Sequence, residues 1–289
     1  MAHSVVNGAR LAWQQLGQGP DLVLLHGLAA NRAFWFPLAI RLAPHFRVTL
    51  FDLRGHGYSE RTDSGYSSAA MGHDLIGLLD ALDIDKASVA GHSYGGGAAL
   101  EAAITAPARF RHLALLDVRV QALQPQMRLE DILPLSSFEQ NVLDRGGGYA
   151  FLTGETQIGF RFLEEAARQR VSGLEPAGED EFVPFGEGGG ARRTAKAWLE
   201  LLDQTQARNE FVLPGADAAE IGRITAPVLL MYGERSRCWP SAHALATRLP
   251  QARQVTMAGA GHFFPVSAPG PTLEHLQKFF LDSPVEMSA

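Results

Sequence analysis

The stretch Lys86-Ala-Ser-Val-Ala-Gly-His-Ser-Tyr-Gly-Gly-Gly-Ala-Ala-Leu100 constrains the fold more than any other part of the chain. Ala87 to Ala90 reads as a short buried strand, Gly91 to Gly95 as a tight turn, and the alanine-rich continuation as a helix. A strand that runs into a helix through so short a turn belongs to an α/β layer architecture. The turn places Ser93 between Gly91 and Gly95 in the pattern G-x-S-x-G. At the apex of such a turn the serine takes a strained backbone conformation, and the flanking positions must lack bulk for strand and helix to approach closely. The helix starting at Tyr94 directs its free N–H groups and the positive end of its dipole at any negative charge formed beside Ser93.

The same alternation runs through the rest of the chain. Residues 4 to 16 alternate around Asn7-Gly8, a hairpin signal. Short apolar runs at Asp21–Leu25, Arg47–Phe51, Leu113–Leu116, Pro227–Tyr232 and Arg253–Met257 predict further strands. Between them, helical spacing predicts helices after Asn31, over 68–82, from Tyr94 to Ala106, over Ser241–Leu249 and over Thr272–Leu281. Strands alternating with helices predict a doubly wound, mostly parallel sheet. The rhythm stops near Arg119 and resumes near Gly222, and the intervening residues are polar with helical spacing, as in Phe160–Arg170 and Thr194–Leu202. The expected organisation is a core of residues 1–118 and 223–289, with 119–222 forming a helical lid.

Composition narrows the function. A chain of 289 residues buries a large core. With a net charge of −6 and no Lys or Arg run longer than Arg192-Arg193, no nucleic-acid partner is expected. No apolar run approaches the roughly 18 residues a membrane span needs, so no membrane association is expected. Cys238 is the single cysteine, which precludes an internal disulfide and a cysteine metal cage. The N-terminal residues carry no signal-peptide pattern, and a reduced, cytoplasmic location is expected. The histidines show no H-x-H or H-E-x-x-H spacing, so no metal site is expected. No G-x-G-x-x-G follows the first strand, which argues against a dinucleotide oxidoreductase.

Ser93 on its turn, His26-Gly27-Leu28, the loop Asp52-Leu-Arg-Gly-His-Gly-Tyr-Ser59 and Gly259-Ala-Gly-His262-Phe together resemble the α/β-hydrolase superfamily. The resemblance covers nearly the whole chain outside 119–222. It implies an α/β fold with a lid between the sixth and seventh core strands and a site at the carboxyl ends of the strands. It implies Ser93 as nucleophile, His262 as general base, and the backbone N–H groups of Leu28 and Tyr94 as the oxyanion hole. The acid departs from the usual pattern. Such enzymes commonly read G-x-x-D after the seventh strand, but Gly233-Glu-Arg-Ser236 has serine at the last position. Some members carry the acid after the sixth strand, where Asp117 stands; Glu234 is the alternative. His26, Asp52, Arg54, His56 and Gly57 are expected to shape loops, and Cys238 to pack. Phe34, Trp35, Phe138, Phe151, Phe160 and Trp198 are candidates for the pocket wall, most of them expected in the core.

These residues imply a serine hydrolase that cleaves an ester or thioester of a hydrophobic small molecule through an acyl-enzyme, without a cofactor. Carbon–carbon bond hydrolases and cofactor-free haloperoxidases share the same three side chains. A catalytically idle ligand-binding member of the fold is the reading from a different class, supported by the serine at position 236. Dehalogenases and epoxide hydrolases of this architecture use an aspartate nucleophile, which Ser93 argues against.

Overall fold

A computed structural model describes residues 1–146, 148–174, 184–185 and 189–282. Eight strands form one sheet in the spatial order β1-β2-β4-β3-β5-β6-β7-β8: β1 Ala2–Val6, β2 Ala9–Leu16, β3 Asp21–Leu25, β4 Arg47–Phe51, β5 Ala87–His92, β6 Phe110–Leu116, β7 Val228–Gly233 and β8 Arg253–Met257. β1 and β2 pair antiparallel around the Asn7-Gly8 turn, and β2 pairs antiparallel with β4. Every pairing from β4 through β8 is parallel.

The helices are α1 Phe36–Leu42, α2 Ser68–Ala81, α3 Tyr94–Thr105, α4 Ser137–Arg145, α5 Ile158–Val171, α6 Gly189–Gln204, α7 Ala207–Glu210, α8 Trp239–Arg248, α9 Phe264–Ser267 and α10 Pro269–Asp282. The central strands read as continuous apolar runs because both faces of the sheet are covered. Their side chains alternate between two clusters. Val23, Leu25, Val89, Leu113, Leu115 and Leu230 pack on the face of α2 and α3. Leu22, Leu24, Ala90, Ala114, Leu116 and Leu229 pack on the opposite face with Leu38 and Leu42 of α1 and Leu273, Leu276 and Phe280 of α10. Each fully buried leucine contributes about 1.5–3 kcal/mol to this assembly. Local signals end the elements: the Asn31 side chain accepts from Ala33 N–H at 2.9 Å, and Ser67 caps α2 at Ala70 N–H.

Helices α4 to α7 all lie between β6 and β7, the place expected for the insertion. The insertion is tied internally by Glu164, whose buried carboxylate pairs with Arg161, Arg168 and Arg208. Burial alone would raise that carboxyl, but the Arg208 and Arg168 hydrogen bonds outweigh it and hold it down to about 2. The insertion is also tied to the core. Glu101 of α3 accepts from Ala216 N–H at 2.9 Å, and Arg237 after β7 donates to Pro134 O at 2.7 Å. Among the described residues no helix is long and apolar enough to cross a membrane.

Several expected boundaries shift by a few residues, among them α10, which begins at Pro269 rather than Thr272, and three shifts have a local cause. The strand expected at Leu113–Leu116 begins at Phe110, since Phe110 and His112 also pair with Ala87 and Ser88 across a register irregularity. Asn31 caps a tight 3₁₀ turn, Arg32–Trp35, which precedes α1. Helix α8 starts at Trp239, before Ser241, because Pro240 is tolerated in a first helical turn.

Candidate active site

The chain reverses its direction of travel across the sheet between β3 and β5, which places a crevice outside their carboxyl ends. The loops after β3, β5, β6, β7 and β8 converge there, and each carries a residue singled out in the sequence.

Ser93 follows β5 and sits at φ 53°, ψ −124°, a conformation that L-residues rarely adopt. The turn is tight enough to exclude side chains. A Cβ on Gly91 would lie 2.5 Å from Gly96 Cα, and one on Gly95 would lie 2.2 Å from His26 O. Gly96 is equally constrained, since its Cβ would meet Val118 Cγ2 at 2.2 Å; the G-x-S-x-G pattern gives no hint of this third position.

His262, in the loop between β8 and α9, turns its ring toward Ser93. The two side chains approach to 3.1 Å between Nε2 and Oγ. On the other side of the ring, Nδ1 lies 2.8 Å from Asp117 Oδ1. An ionised carboxylate only accepts, so Nδ1 carries the proton and Nε2 is free to accept from Ser93 Oγ–H. Asp117 follows β6, is fully buried, and takes a left-handed φ of 51°. Its Oδ1 also accepts from Ser236 Oγ–H at 2.6 Å, and its Oδ2 accepts from Gly233 N–H at 2.8 Å. Burial pushes the Asp117 carboxyl up, but the His262 hydrogen bond and charge, with the bonds from Ser236 and Gly233, outweigh it and hold it below the ordinary value.

Of the two carboxylates proposed from sequence, the structure brings Asp117 to His262 and directs Glu234 elsewhere. Glu234 is exposed, and its Oε2 accepts from Gly259 N–H at 2.7 Å. Ser236 occupies the position where an aspartate is common and serves as a donor to Asp117. Its hydroxyl in turn accepts from Cys238 N–H at 2.9 Å.

The Gly27-Leu28 turn after β3 lies against the serine, since a Cβ on Gly27 would stand 3.0 Å from Ser93 Cβ. Both Leu28 and Tyr94 line the cavity at Ser93. Tyr94 opens α3, so its N–H has no acceptor within the helix. His26 donates from Nδ1 to Gly27 O at 2.8 Å and accepts at Nε2 from Leu53 N–H at 3.0 Å, fixing this turn to the loop after β4. That loop is held by Asp52, which pairs with Arg32 and accepts from Tyr58 N–H, and by Arg54, which pairs with Asp74 at 2.6 Å. His56 Nδ1 donates to Arg54 O at 2.9 Å, and a Cβ on Gly57 would collide with the Asp52 carboxylate at 2.3 Å.

His92, the x of the G-x-S-x-G motif, has a part that the sequence does not disclose. It is buried, and its Nε2–H donates to the backbone carbonyl of His262 at 2.9 Å. Its ring lies between Phe34, stacked at 4.8 Å, and the His262 ring, at 4.7 Å. Burial, with the neighbouring His262, lowers it to about 3, so it stays neutral as the donor the contact requires.

The three-residue set Asp117, Cys238 and His262 places potential metal-ligand atoms within 4.8 Å of one another. Burial and the adjacent Asp117 push the Cys238 thiol well up, which keeps it a neutral packing group.

Ser93 opens onto a cavity of about 850 Å³. Core residues such as Phe34 and Leu100 line it together with Phe138, Phe160, Leu163 and Phe211 from the insertion. Trp35 and Trp198 are buried in the two cores and stay outside the cavity wall, and the Phe151 side chain lies outside the described residues. Glu101 also lines the cavity, its carboxyl raised by burial.

Comparisons with known proteins agree with this fold. An uncharacterized protein of Mycobacterium tuberculosis is 38% identical over 277 residues, covering 89% of this chain and 74% of its own. The pimeloyl-[acyl-carrier protein] methyl ester esterase of Xanthomonas oryzae pv. oryzae is 31% identical over 280 residues, with 93% and 98% covered. Among solved structures, the enol-lactonase from Burkholderia xenovorans LB400 superimposes with a TM-score of 0.68 at 22% identity, over 96% of this chain and 99% of that one, a likeness of fold. The family of the alpha/beta hydrolase fold matches residues 20–269, and with that span matched the chain belongs to the α/β-hydrolase family.

Proposed function

We propose that the protein is a serine hydrolase that cleaves an ester or thioester of a hydrophobic small molecule. The observation that carries this reading is the hydrogen-bonded line from Ser93 Oγ through the His262 ring to Asp117. Ser93 Oγ attacks the substrate carbonyl as its proton passes to His262 Nε2. Asp117 keeps the ring in the required tautomer and stabilises the imidazolium. The Leu28 and Tyr94 N–H groups receive the tetrahedral oxyanion; one such donor is worth on the order of 3 kcal/mol in the transition state. His262 then returns the proton to the departing alcohol or thiol, leaving the acyl group on Ser93. Water, activated by the same imidazole, releases the acid and restores Ser93. No step calls on a metal or cofactor.

In this reading residues 119–222 act as a lid over the core formed by 1–118 and 223–289. The mixed lining of the cavity supports it, since the acyl chain would lie between both parts. The esterase named among the relatives supports ester cleavage for this chain. A reduced, cytoplasmic setting fits the single, buried, free Cys238. Hydrolysis of p-nitrophenyl esters from acetate to decanoate tests the proposal. The expected result is turnover that Ser93→Ala abolishes, with a preference for chains longer than acetate. No hydrolysis across the series, or full activity in Ser93→Ala, overturns it.

A further inference from the structure

A partly buried cationic side chain in the cavity wall has no carboxylate in hydrogen-bond contact among the described residues. Arg119 stands two residues beyond Asp117 and lines the cavity. Its Nε donates to Gln124 O at 2.9 Å and its Nη1 to Gln157 Oε1 at 2.7 Å. Its Nη2 is enclosed and has no partner. Among the described residues no carboxylate accepts from it.

Its neighbours are neutral amides. Gln157 Oε1 also accepts from Gln121 Nε2 at 3.3 Å, and Gln157 Nε2 donates to Pro125 O at 2.8 Å. Gln121 Nε2 reaches Val212 O as well, which leaves Gln121 Oε1 buried and unpaired. The amide orientations follow from these contacts, since each Nε2 faces carbonyl oxygens and Gln157 Oε1 faces the guanidinium. The cluster therefore presents one unused cationic donor and one unused acceptor beside a cavity.

A partly buried guanidinium with no carboxylate in hydrogen-bond contact is unfavourable: burial pulls Arg119 below its ordinary value, and the charge of Asp131 only partly offsets it. The free Nη2 can donate a charge-assisted hydrogen bond to a carboxylate while Nε and Nη1 keep their contacts. One guanidinium backed by uncharged amides matches a single negative charge. Arg119 lines the cavity, and Nη2 is the guanidinium nitrogen that has no bond to give up.

We infer that Arg119, held in place by Gln157, forms a recognition site for a carboxylate on the acyl part of the substrate, so that the preferred ester is a monoester of a dicarboxylic acid. This rests on the reading of the cavity as the acyl site of a serine hydrolase. The apolar wall takes the methylene chain, Ser93 takes the ester carbonyl, and Arg119 takes the far carboxylate. Ser93 attacks only the esterified end; the free carboxylate is unchanged in the reaction.

The experiment compares methyl esters of monoacids with monomethyl esters of diacids of equal carbon number, from five to eight, by pH-stat. The readout is the ratio of kcat/KM for diacid over monoacid in each protein. The expected ratio in the wild-type protein is about tenfold to hundredfold at the best length, the size of one charge-assisted contact. In Arg119→Gln it falls to about one, and in Arg119→Lys it lies between. A wild-type ratio below one at every length overturns the inference, as does a ratio that Arg119→Gln leaves unchanged. The wild-type ratio and Arg119→Lys decide the matter even where Arg119→Gln does not fold. If neither ester type is hydrolysed, the serine-hydrolase reading fails on its own. The site is then judged by calorimetric titration with adipate: binding that Arg119→Gln abolishes supports it, and absent or unaltered binding overturns it.

Discussion

Asp117 Oδ1 lies 2.8 Å from His262 Nδ1 across 145 residues of sequence, held there by the ends of β6 and the loop after β8. In the proposed mechanism this contact assigns the acid role to the carboxylate after the sixth strand. Asp117→Asn should therefore lower kcat by about 10⁴-fold, the effect of the same change in a serine protease triad. Glu234→Gln removes the charge of an exposed side chain and keeps an oxygen that can accept from Gly259 N–H, so it should cost less than about tenfold. Steady-state kinetics with circular dichroism as the fold control checks both. A crippled Glu234→Gln beside a near-normal Asp117→Asn would sink the assignment.

Ser236 offers a reciprocal test because its Oγ is 2.6 Å from the same carboxylate oxygen. Ser236→Ala deletes one donor to Asp117 and should lower kcat by about tenfold while the fold persists, the loss of about one hydrogen bond to a charged group. Ser236→Asp in the wild-type background sets two carboxylates side by side and should be both less active and less stable. In the Asp117→Asn background the same change restores a carboxylate beside the ring, and kcat should recover at least tenfold. Without recovery, the two positions are not interchangeable.

His92 should behave as a positioning residue. Its Nε2–H holds the His262 carbonyl, so losing that bond frees the loop that aims the base. His92→Ala should reduce kcat by about a hundredfold with KM nearly unchanged, and His92→Gln, which keeps a donor, should recover part of it. The downfield proton resonance of the His262–Asp117 hydrogen bond should weaken in His92→Ala in step with kcat. Equal falls in activity for both variants, with that resonance intact, would mean that His92 merely fills space.

Acid should unfold the protein early. Burial lowers His26 to about 4 and both His56 and His92 to about 3, against about 6.5 for a histidine in an unfolded chain. Between about pH 6.5 and 4 the unfolded chain binds protons that the folded one refuses, so stability falls as pH falls. Each histidine contributes up to about 1.4 kcal/mol per pH unit in that window. Urea denaturation from pH 7.5 to 4.5 should show this loss, with full stability above about pH 7. A flat profile would mean that the buried histidines are charged or accessible.

The parts of this molecule written locally were the legible ones. Apolar runs bounded by turn residues disclose the strands, and the glycines around Ser93 disclose the turn, because backbone clashes act over a few residues. The insertion is visible as a break in rhythm at Arg119. Asp117 was reachable from sequence only because Ser236 stands where an acid is common. What Ser236, His92 and Arg119 do was not legible, since each depends on partners brought close by the sheet. Ser236 and Asp117 are 119 residues apart, and His92 and His262 are 170 apart. The missing ion partner of Arg119 is visible only once every neighbour is in place.

The central claim is that Ser93 is an activated nucleophile, and covalent labelling tests it most directly. Folded protein treated with a fluorophosphonate should gain the mass of one adduct, and peptide mass spectrometry should place it on Ser93. Ser93→Ala should gain none, and Asp117→Asn should label far more slowly. Folded wild-type protein that takes no label, or takes it on another residue, contradicts the account.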